Sequence, residues 1–440
     1  MKALLATLSL GVFAGALDLS VLSPALPAIG HQFDVATNDL AWIFTLYLLV
    51  TVLSIAVAST LADRYGRRPV YLACIGLFAL GSIVAILAPN YGVFLLARAI
   101  QALGAGGIFP VATATIGDVV PQDRRGAALG VVAGMWGLAA VLGPALGGLV
   151  THFVSWRWIF VANVPLAIAV FAMARKNVPK VAPNVRDPLD VFGLILLCGG
   201  LLGVMDGMLA MRAAVGILGV LFLGAFVLWE RFVRFPIVPP ALLASPQLAK
   251  TYALEIVIGV LEGSLFFIPT VLVATQGLSY AAAGMVAALG GFTFVAVIPA
   301  AGRAIDRLGS RDVLLAGTVL TELGLAVFAL GFQSLWLTLL SMVVAGCGFG
   351  ALLGAPTRYI VTNETDSRTR ATAVGLLSQC LIVGQIFGSS LAGAFIGLST
   401  SEFLGYRHAY LAFCAAAFVA LILAATLQSR TQERTQPIDA

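Results

Sequence analysis

The chain has 440 residues, of which 60% are hydrophobic and only 10% charged, with a formal net charge of +5 and a mean hydropathy of +1.02. Soluble domains carry about 25% charged residues, so the composition excludes a water-soluble enzyme or binding module. Apolar runs of about 20 residues recur throughout, each able to cross a ~30 Å hydrocarbon layer as a helix, which marks an all-α polytopic membrane protein. The 47 glycines suit that class, because glycine lets membrane helices approach closely. Cys74, Cys198, Cys347, Cys380 and Cys414 lie inside apolar runs without metal spacing and read as packing residues.

In chain order, the first six predicted spans are 4–29, 40–62, 69–88, 92–119, 127–150 and 157–174. Lys2, an apolar run and Ala14-Gly15-Ala16 resemble a cleavable signal, but the run continues to Ile29, so a retained first span is expected. A polar stretch at 175–187 precedes two closely linked spans at 189–211 and 213–235, and a proline-rich connector occupies 234–250. Six more spans follow at 251–274, 281–302, 312–332, 335–360, 371–397 and 407–427. The expected organisation is therefore a six-helix bundle in 1–175, a linker with two extra helices in 176–250, a second six-helix bundle in 251–428 and a tail in 429–440.

A repeated loop supports this six, two and six pattern. The run Leu61-Ala62-Asp63-Arg64-Tyr65-Gly66-Arg67-Arg68-Pro69 and the run Gly302-Arg303-Ala304-Ile305-Asp306-Arg307-Leu308-Gly309-Ser310-Arg311 share the pattern Asp-Arg-x-Gly-x-Arg. Each sits between two apolar runs, as an internal duplication would place it. With the N-terminus in the cytoplasm, 21 of the 25 basic residues fall in cytoplasmic segments. External segments hold only Arg157, Arg212 and Arg407, and Arg98 lies within a span. This is a positive-inside signal with both termini cytoplasmic, so the basic balance reports orientation and no nucleic-acid partner is expected.

Several stretches together resemble the major facilitator superfamily, in particular its fourteen-span drug:proton antiporters. Residues 61–68 resemble the loop motif GxLaDrxGrk, and Arg98-Ala99-Ile100-Gln101-Ala102-Leu103-Gly104 resembles the fourth-span motif RxxqGxg. Leu142-Gly143-Pro144-Ala145-Leu146-Gly147-Gly148 resembles the antiporter motif gxxxGPxxGG. Leu17-Asp18-Leu19-Ser20-Val21-Leu22-Ser23-Pro24-Ala25-Leu26-Pro27 is similar to the first-span element lDxTivnvALP. Ser59, Ala102 and Ala139 replace other small residues of these patterns, and Ser20 and Ser23 stand for Thr and Asn. The resemblance implies a major facilitator fold of two six-helix bundles plus a central two-helix insertion, fourteen spans in all.

Chemistry is sought where ionisable groups enter the spans, because a charge at the bilayer centre costs about 2.5–3.5 kcal/mol. The candidates are Asp18, Arg98, Asp206, Glu255, Glu262 and Glu322. His31, His152 and His408 fall in external segments, so carboxylates must carry any proton coupling. Asp18 lies mid-span, where a carboxylate can alternate between neutral and charged forms or serve as a structural hydrogen-bonding group. Glu255 and Glu262 are seven residues apart and share a helix face that should line a cavity. Arg98 needs a carboxylate or carbonyl partner, and the resemblance assigns it to proton coupling, with a helix-packing pair as the alternative. Asp206 is near enough to an external end to reach water, and Glu322 carries no motif.

Two further groups concern movement. Asp63, Arg64, Gly66, Arg67, Asp118, Asp306 and Arg307 form, by the resemblance, a conformational latch, with topology anchoring as the plainer reading. Gly143, Pro144 and Gly147 suit a gating helix, since a GxxxG pair permits close contact and proline removes a helix hydrogen bond. No metal site, cofactor, phosphate loop or catalytic constellation is present in the sequence.

The expected protein is a proton-coupled exporter of small amphipathic or lipophilic compounds, working by alternating access as a monomer in a bacterial cytoplasmic (inner) membrane. One charge moved through ~100 mV supplies about 2.3 kcal/mol, or roughly a 50-fold gradient, which suffices for such transport. An exporter of an endogenous metabolite, lipid or siderophore shares every motif, while the antiporter motif argues against an uptake symporter.

Overall fold

The computed structural model describes residues 2–180, 190–210, 212–234, 236–238, 240–353, 355–365 and 370–428. Among them the only regular structure is helical. The helices are α1 (Lys2–Val21), α2 (Leu26–Phe33), α3 (Ala41–Tyr65), α4 (Arg67–Leu87), α5 (Tyr91–Val119), α6 (Gln122–Phe153), α7 (Arg157–Asn177), α8 (Val191–Leu209) and α9 (Ala213–Trp229). They continue with α10 (Pro240–Ala244), α11 (Pro246–Gly263), α12 (Ile268–Gln276), α13 (Tyr280–Leu308), α14 (Ser310–Gly331), α15 (Leu335–Leu353), α16 (Pro356–Asn363), α17 (Arg370–Leu398) and α18 (Glu402–Ala425).

Thirteen segments of the described residues are long and apolar enough to cross a membrane. The fourteenth apolar segment, α9, has 17 residues, or about 26 Å at 1.5 Å per residue. A shortfall of that size is met by local thinning of the bilayer. The order read from the sequence, six, two and six, is preserved.

Three spans predicted as continuous are broken. Between α1 and α2 the chain tightens into a 3-10 turn at Ser23–Ala25, where Pro24 and Pro27 cannot donate to a helical ladder. Between α11 and α12 the same occurs at Ser264–Phe267 ahead of Pro269. The helices α15 and α16 meet just before Pro356.

The described chain forms two compact units. One comprises Met1–Ile237 with Leu278–Ala288, the other Val238–Gly277 with Leu289–Ala440. In the first, α5 packs on α3 and α4, α1 on α6, and α7 on α4 and α1. The hairpin α8–α9 packs through α8 on α3. Inside the hairpin, Gly203 and Gly207 meet Gly219 and Gly216, so two apolar helices touch backbone to backbone. In the second unit, α14 packs on α15 and α18, and α11 on α17.

The duplication inferred from the loops is built into the backbone. Gly66 (φ 97°, ψ 155°) and Gly309 (φ 93°, ψ 163°) share a conformation that only glycine adopts without strain. Helix contacts repeat too. Gly104 lies against the backbone of Phe78 and Gly348 against that of Thr321. Gly106 lies against Thr51 and Gly350 against Phe294. Both glycine pairs are 244 positions apart, so residues 91–109 of α5 have definable counterparts in α15.

Candidate functional site

The structure brings Asp18 and Arg98, singled out separately in the sequence, into one buried ion pair. Arg98 Nη1 donates to Asp18 Oδ2 at 2.5 Å, and both side chains have no exposed surface. Around them stand groups that sequence reasoning missed. Gln101 Nε2 and Asn163 Nδ2 each donate to Asp18 Oδ1 at 2.7 Å. Gln101 Oε1 accepts from Arg98 Nη1 at 2.5 Å, and Gln101 Nε2 also donates to Ser82 Oγ at 2.9 Å. The ring of Tyr47 lies 4.1 Å from Arg98 Cζ, a cation–π contact in a dry environment.

Five helices of the first unit thus meet at one carboxylate and one guanidinium: α1 (Asp18), α3 (Tyr47), α4 (Ser82), α5 (Arg98, Gln101) and α7 (Asn163). The pair is neutral as a whole, which is what permits its burial, yet Arg98 Nε and Nη2 find no hydrogen-bond partner among the described residues. Gln101 was recoverable from the sequence, being three residues from Arg98 and so on the same helix face. Asn163 was recoverable as a lone amide within an apolar span.

Glu255 and Glu262 lie in the second unit on α11. Glu262 is partly buried and accepts from Gln385 Nε2 of α17 at 2.8 Å. Glu255 is buried, and its Oε2 finds no hydrogen-bond partner among the described residues. The packing of α11 on α17 is close, with Gly259 and Gly263 facing Gly384 and Gly388. Asp206 faces Arg212 at 3.6 Å at the hairpin tip.

In the loop motif, Arg67 pairs with Asp63 and donates from Nε to Asp118 Oδ2 at 2.9 Å, tying the junction of α3 and α4 to the end of α5. Arg64 lies over the Tyr65 ring instead, 5.6 Å from its centroid. Arg307 is exposed at the end of α13, and the side chain of Asp306 lies outside the described residues.

On α6, Gly143 rests against Ser20 and Gly147 against the Val21 carbonyl and Pro24. The carbonyl of Pro144 and the Cα of Gly148 both meet Gly284, near the start of α13 and part of the same compact unit. The glycine motif therefore serves two close contacts, one with α1 and one with α13. Among the described residues no group of His, Cys, Asp and Glu is placed to hold a metal ion.

Comparison with known proteins identifies the family. The model of the Major Facilitator Superfamily matches residues 8–193 and 255–439. The chain belongs to the major facilitator superfamily. It is 31% identical over 413 residues to the uncharacterised MFS-type transporter YfiU of Bacillus subtilis, covering 88% of this chain and 78% of that one. It is 28% identical over 408 residues to the tetracenomycin C resistance and export protein of Streptomyces glaucescens, covering 88% and 74%. The crystal structure of the POT-family transporter PepTSo shares the fold, with a TM-score of 0.76 at 14% identity over 99% of each chain. The protein is an integral membrane transporter of small molecules and not an enzyme.

Proposed function

We propose that this major facilitator protein is a proton-driven exporter of small amphipathic compounds, of the fourteen-span drug:proton type, working by alternating access. The observation that carries the reading is the buried Asp18–Arg98 pair with its two amide donors. A proton on Asp18 removes the counter-charge of Arg98 in a dry interior, where the guanidinium already has two unpartnered nitrogens. The guanidinium must then find other acceptors, so protonation and movement of α1 against α5 are one event. Alternate protonation on the two sides of the membrane makes that event a drive for transport.

Export in particular is supported by the glycine–proline motif of α6 and by the name of the Streptomyces glaucescens relative. The charge distribution supports a bacterial cytoplasmic membrane with both termini inside. The chain would work as a monomer. Gly143, Pro144 and Gly147 would act as the gating segment and Asp63, Arg67 and Asp118 as the latch, with Arg64, Gly66, Asp306 and Arg307 completing the paired loops.

The test is transport in proteoliposomes with an imposed pH gradient, screening lipophilic compounds with wild type and Asp18→Asn. Gradient-driven movement that Asp18→Asn abolishes is the expected result. Undiminished gradient-driven transport in Asp18→Asn would remove the coupling assignment.

A further inference from the structure

We propose that the protein pairs with a second copy of itself through Glu322, a mid-span acid that the transport reading leaves unused. Two α14–α18 faces would meet about a two-fold axis along the membrane normal. The inference goes beyond the export reading and does not depend on it. Each chain carries its own Asp18–Arg98 site and remains the unit of transport.

The first observation is where Glu322 stands. It is the thirteenth of the 22 residues of α14, about 18 Å from the start of the helix at 1.5 Å per residue, and so lies at mid-membrane depth. Its side chain is half-buried on a helix that packs on α15, α16 and α18, and Cys414 of α18 lies within electrostatic reach of it. Glu322 has no hydrogen bond or ion pair among the described residues. Val319 and Leu323 beside it are exposed, as are Leu411 and Phe418 on the Cys414 face of α18. The carboxyl group therefore opens onto hydrocarbon, which offers it neither a donor nor an acceptor.

The second observation is that packing within the chain does not require an acid at this place. Gly81 lies against the backbone of Gln101 and Gly324 against that of Ala345, which aligns α4 with α14 at a spacing of 243 residues. Glu322 then corresponds to Ala79, so the first unit builds the equivalent helix contact with alanine.

The chemistry of the group selects the occupant. Two carboxyl groups with one proton between them are complementary, because one donates an O–H and the other accepts it. Copies of a membrane protein share one orientation in the bilayer. A two-fold axis relating them therefore runs along the membrane normal and sets a residue near the axis against its own counterpart at equal depth. Hydrogen bonds between polar side chains hold membrane helices together where apolar contact alone does not distinguish a helix from lipid. Glu322 of a second copy meets its need, and the flanking apolar side chains of both copies close over the pair.

The experiment reconstitutes the full-length protein in liposomes, with donor or acceptor fluorophores at the N-terminus, and measures energy transfer between copies as the protein-to-lipid ratio is varied. Wild type is expected to associate above random proximity, and Glu322→Ala to weaken association roughly tenfold. Glu322→Gln, whose amide can both donate to and accept from its twin, should stay within about threefold of wild type. Copper-phenanthroline oxidation of the same liposomes should link two copies through the native Cys414, with the product lost in Cys414→Ser and strongly reduced in Glu322→Ala. Glu322→Ala should unfold in detergent at or above the wild-type midpoint, which separates loss of pairing from loss of fold. Energy transfer no greater than random proximity, equal association of wild type and Glu322→Ala, or cross-linking that persists in Cys414→Ser would each overturn the inference.

Discussion

A double-mutant cycle on Asp18 and Arg98 gives the most direct access to the energetics of the buried site. Asp18→Asn keeps the shape but removes the charge, and its amide N–H₂ must face either the Arg98 guanidinium or the donors of Gln101 and Asn163, none of which can accept from it. Arg98 is left charged without a counterion at zero exposure. Breaking a buried pair from one side costs about 3–5 kcal/mol. Arg98→Met leaves Asp18 charged, held only by two amides, and a comparable loss is expected. Methionine is the natural choice, since Met342 fills the corresponding place in the other half. In the double variant no buried charge remains and most of the loss should return, so the coupling should be at least as large as one single loss, about 3–5 kcal/mol. Unfolding of the purified protein in detergent, followed by heat or denaturant, reads the stabilities, and proteoliposome transport reads the coupling. All three variants should lose gradient-driven transport, although the double variant is nearly as stable as wild type. If the single losses add within about 0.5 kcal/mol in the double variant, the two residues are energetically independent. The switch argument then has no basis.

Other expectations follow from single contacts. Asn163→Leu removes one charge-assisted donor from Asp18, so a loss of about 1.5–3 kcal/mol is expected. Its transport should also respond to pH differently from wild type, and identical pH profiles would show Asn163 to be mere packing. Gly66→Ala and Gly309→Ala force alanine into a glycine-only conformation, at about 1–3 kcal/mol each. Gly117→Ala, in open space on α5, should by contrast be neutral or stabilising when the unfolding midpoints are compared. Asp63→Asn and Arg67→Gln should lower turnover with substrate affinity retained; a large rise in KM would place the loop closer to the substrate than proposed. Gly147→Val drives a side chain into the Val21 carbonyl and should abolish transport, whereas Gly134→Val, which meets nothing within 4 Å, should be tolerated.

The helical, membrane-spanning fold was legible because each span must satisfy its backbone internally and cover itself with apolar side chains, which leaves a strong signal in one dimension. The breaks at Ser23–Ala25 and Ser264–Phe267 were not read, although Pro24, Pro27 and Pro269 announced them. A window long enough to find a span averages over a four-residue turn. Asp18 and Arg98 were legible as isolated costs, because a charge in an apolar run demands explanation. That they answer each other, across 80 residues, was not, since the crossing of α1 and α5 is a tertiary fact. Asn163 and Gln385 escaped for another reason. An amide carries no charge and its cost in a span is small enough to pass unremarked, yet each completes a carboxylate's hydrogen bonding.

The duplication gives these observations a common meaning. Glycine is retained wherever two helices or a turn require it: at Gly66 and Gly309 for backbone conformation, and at Gly106 and Gly350 for close approach. These positions define the frame, and a frame shared by both halves can keep its packing while polar groups change. Within it the charges diverge. The acid of α1 is answered by Arg98, so any change in its protonation must be absorbed by rearranging helices that already touch. At the corresponding positions of α15 stand Met342 and Ala345, neither of which can pair with a carboxylate. Glu262, 244 residues after Asp18, is met instead by the neutral amide of Gln385. The internal ion pair of α1 and α5 thus has no counterpart between α11 and α15 among the described residues. Supplying a cation at the corresponding place tests whether the frame is shared. Met342→Arg is expected to fold with Glu262 as its counterion, whereas Met342→Arg combined with Glu262→Gln leaves the guanidinium unpaired and should lose about 3–5 kcal/mol in detergent unfolding. Equal stability of the single and combined variants would show that the two halves are not related in the way their glycines indicate.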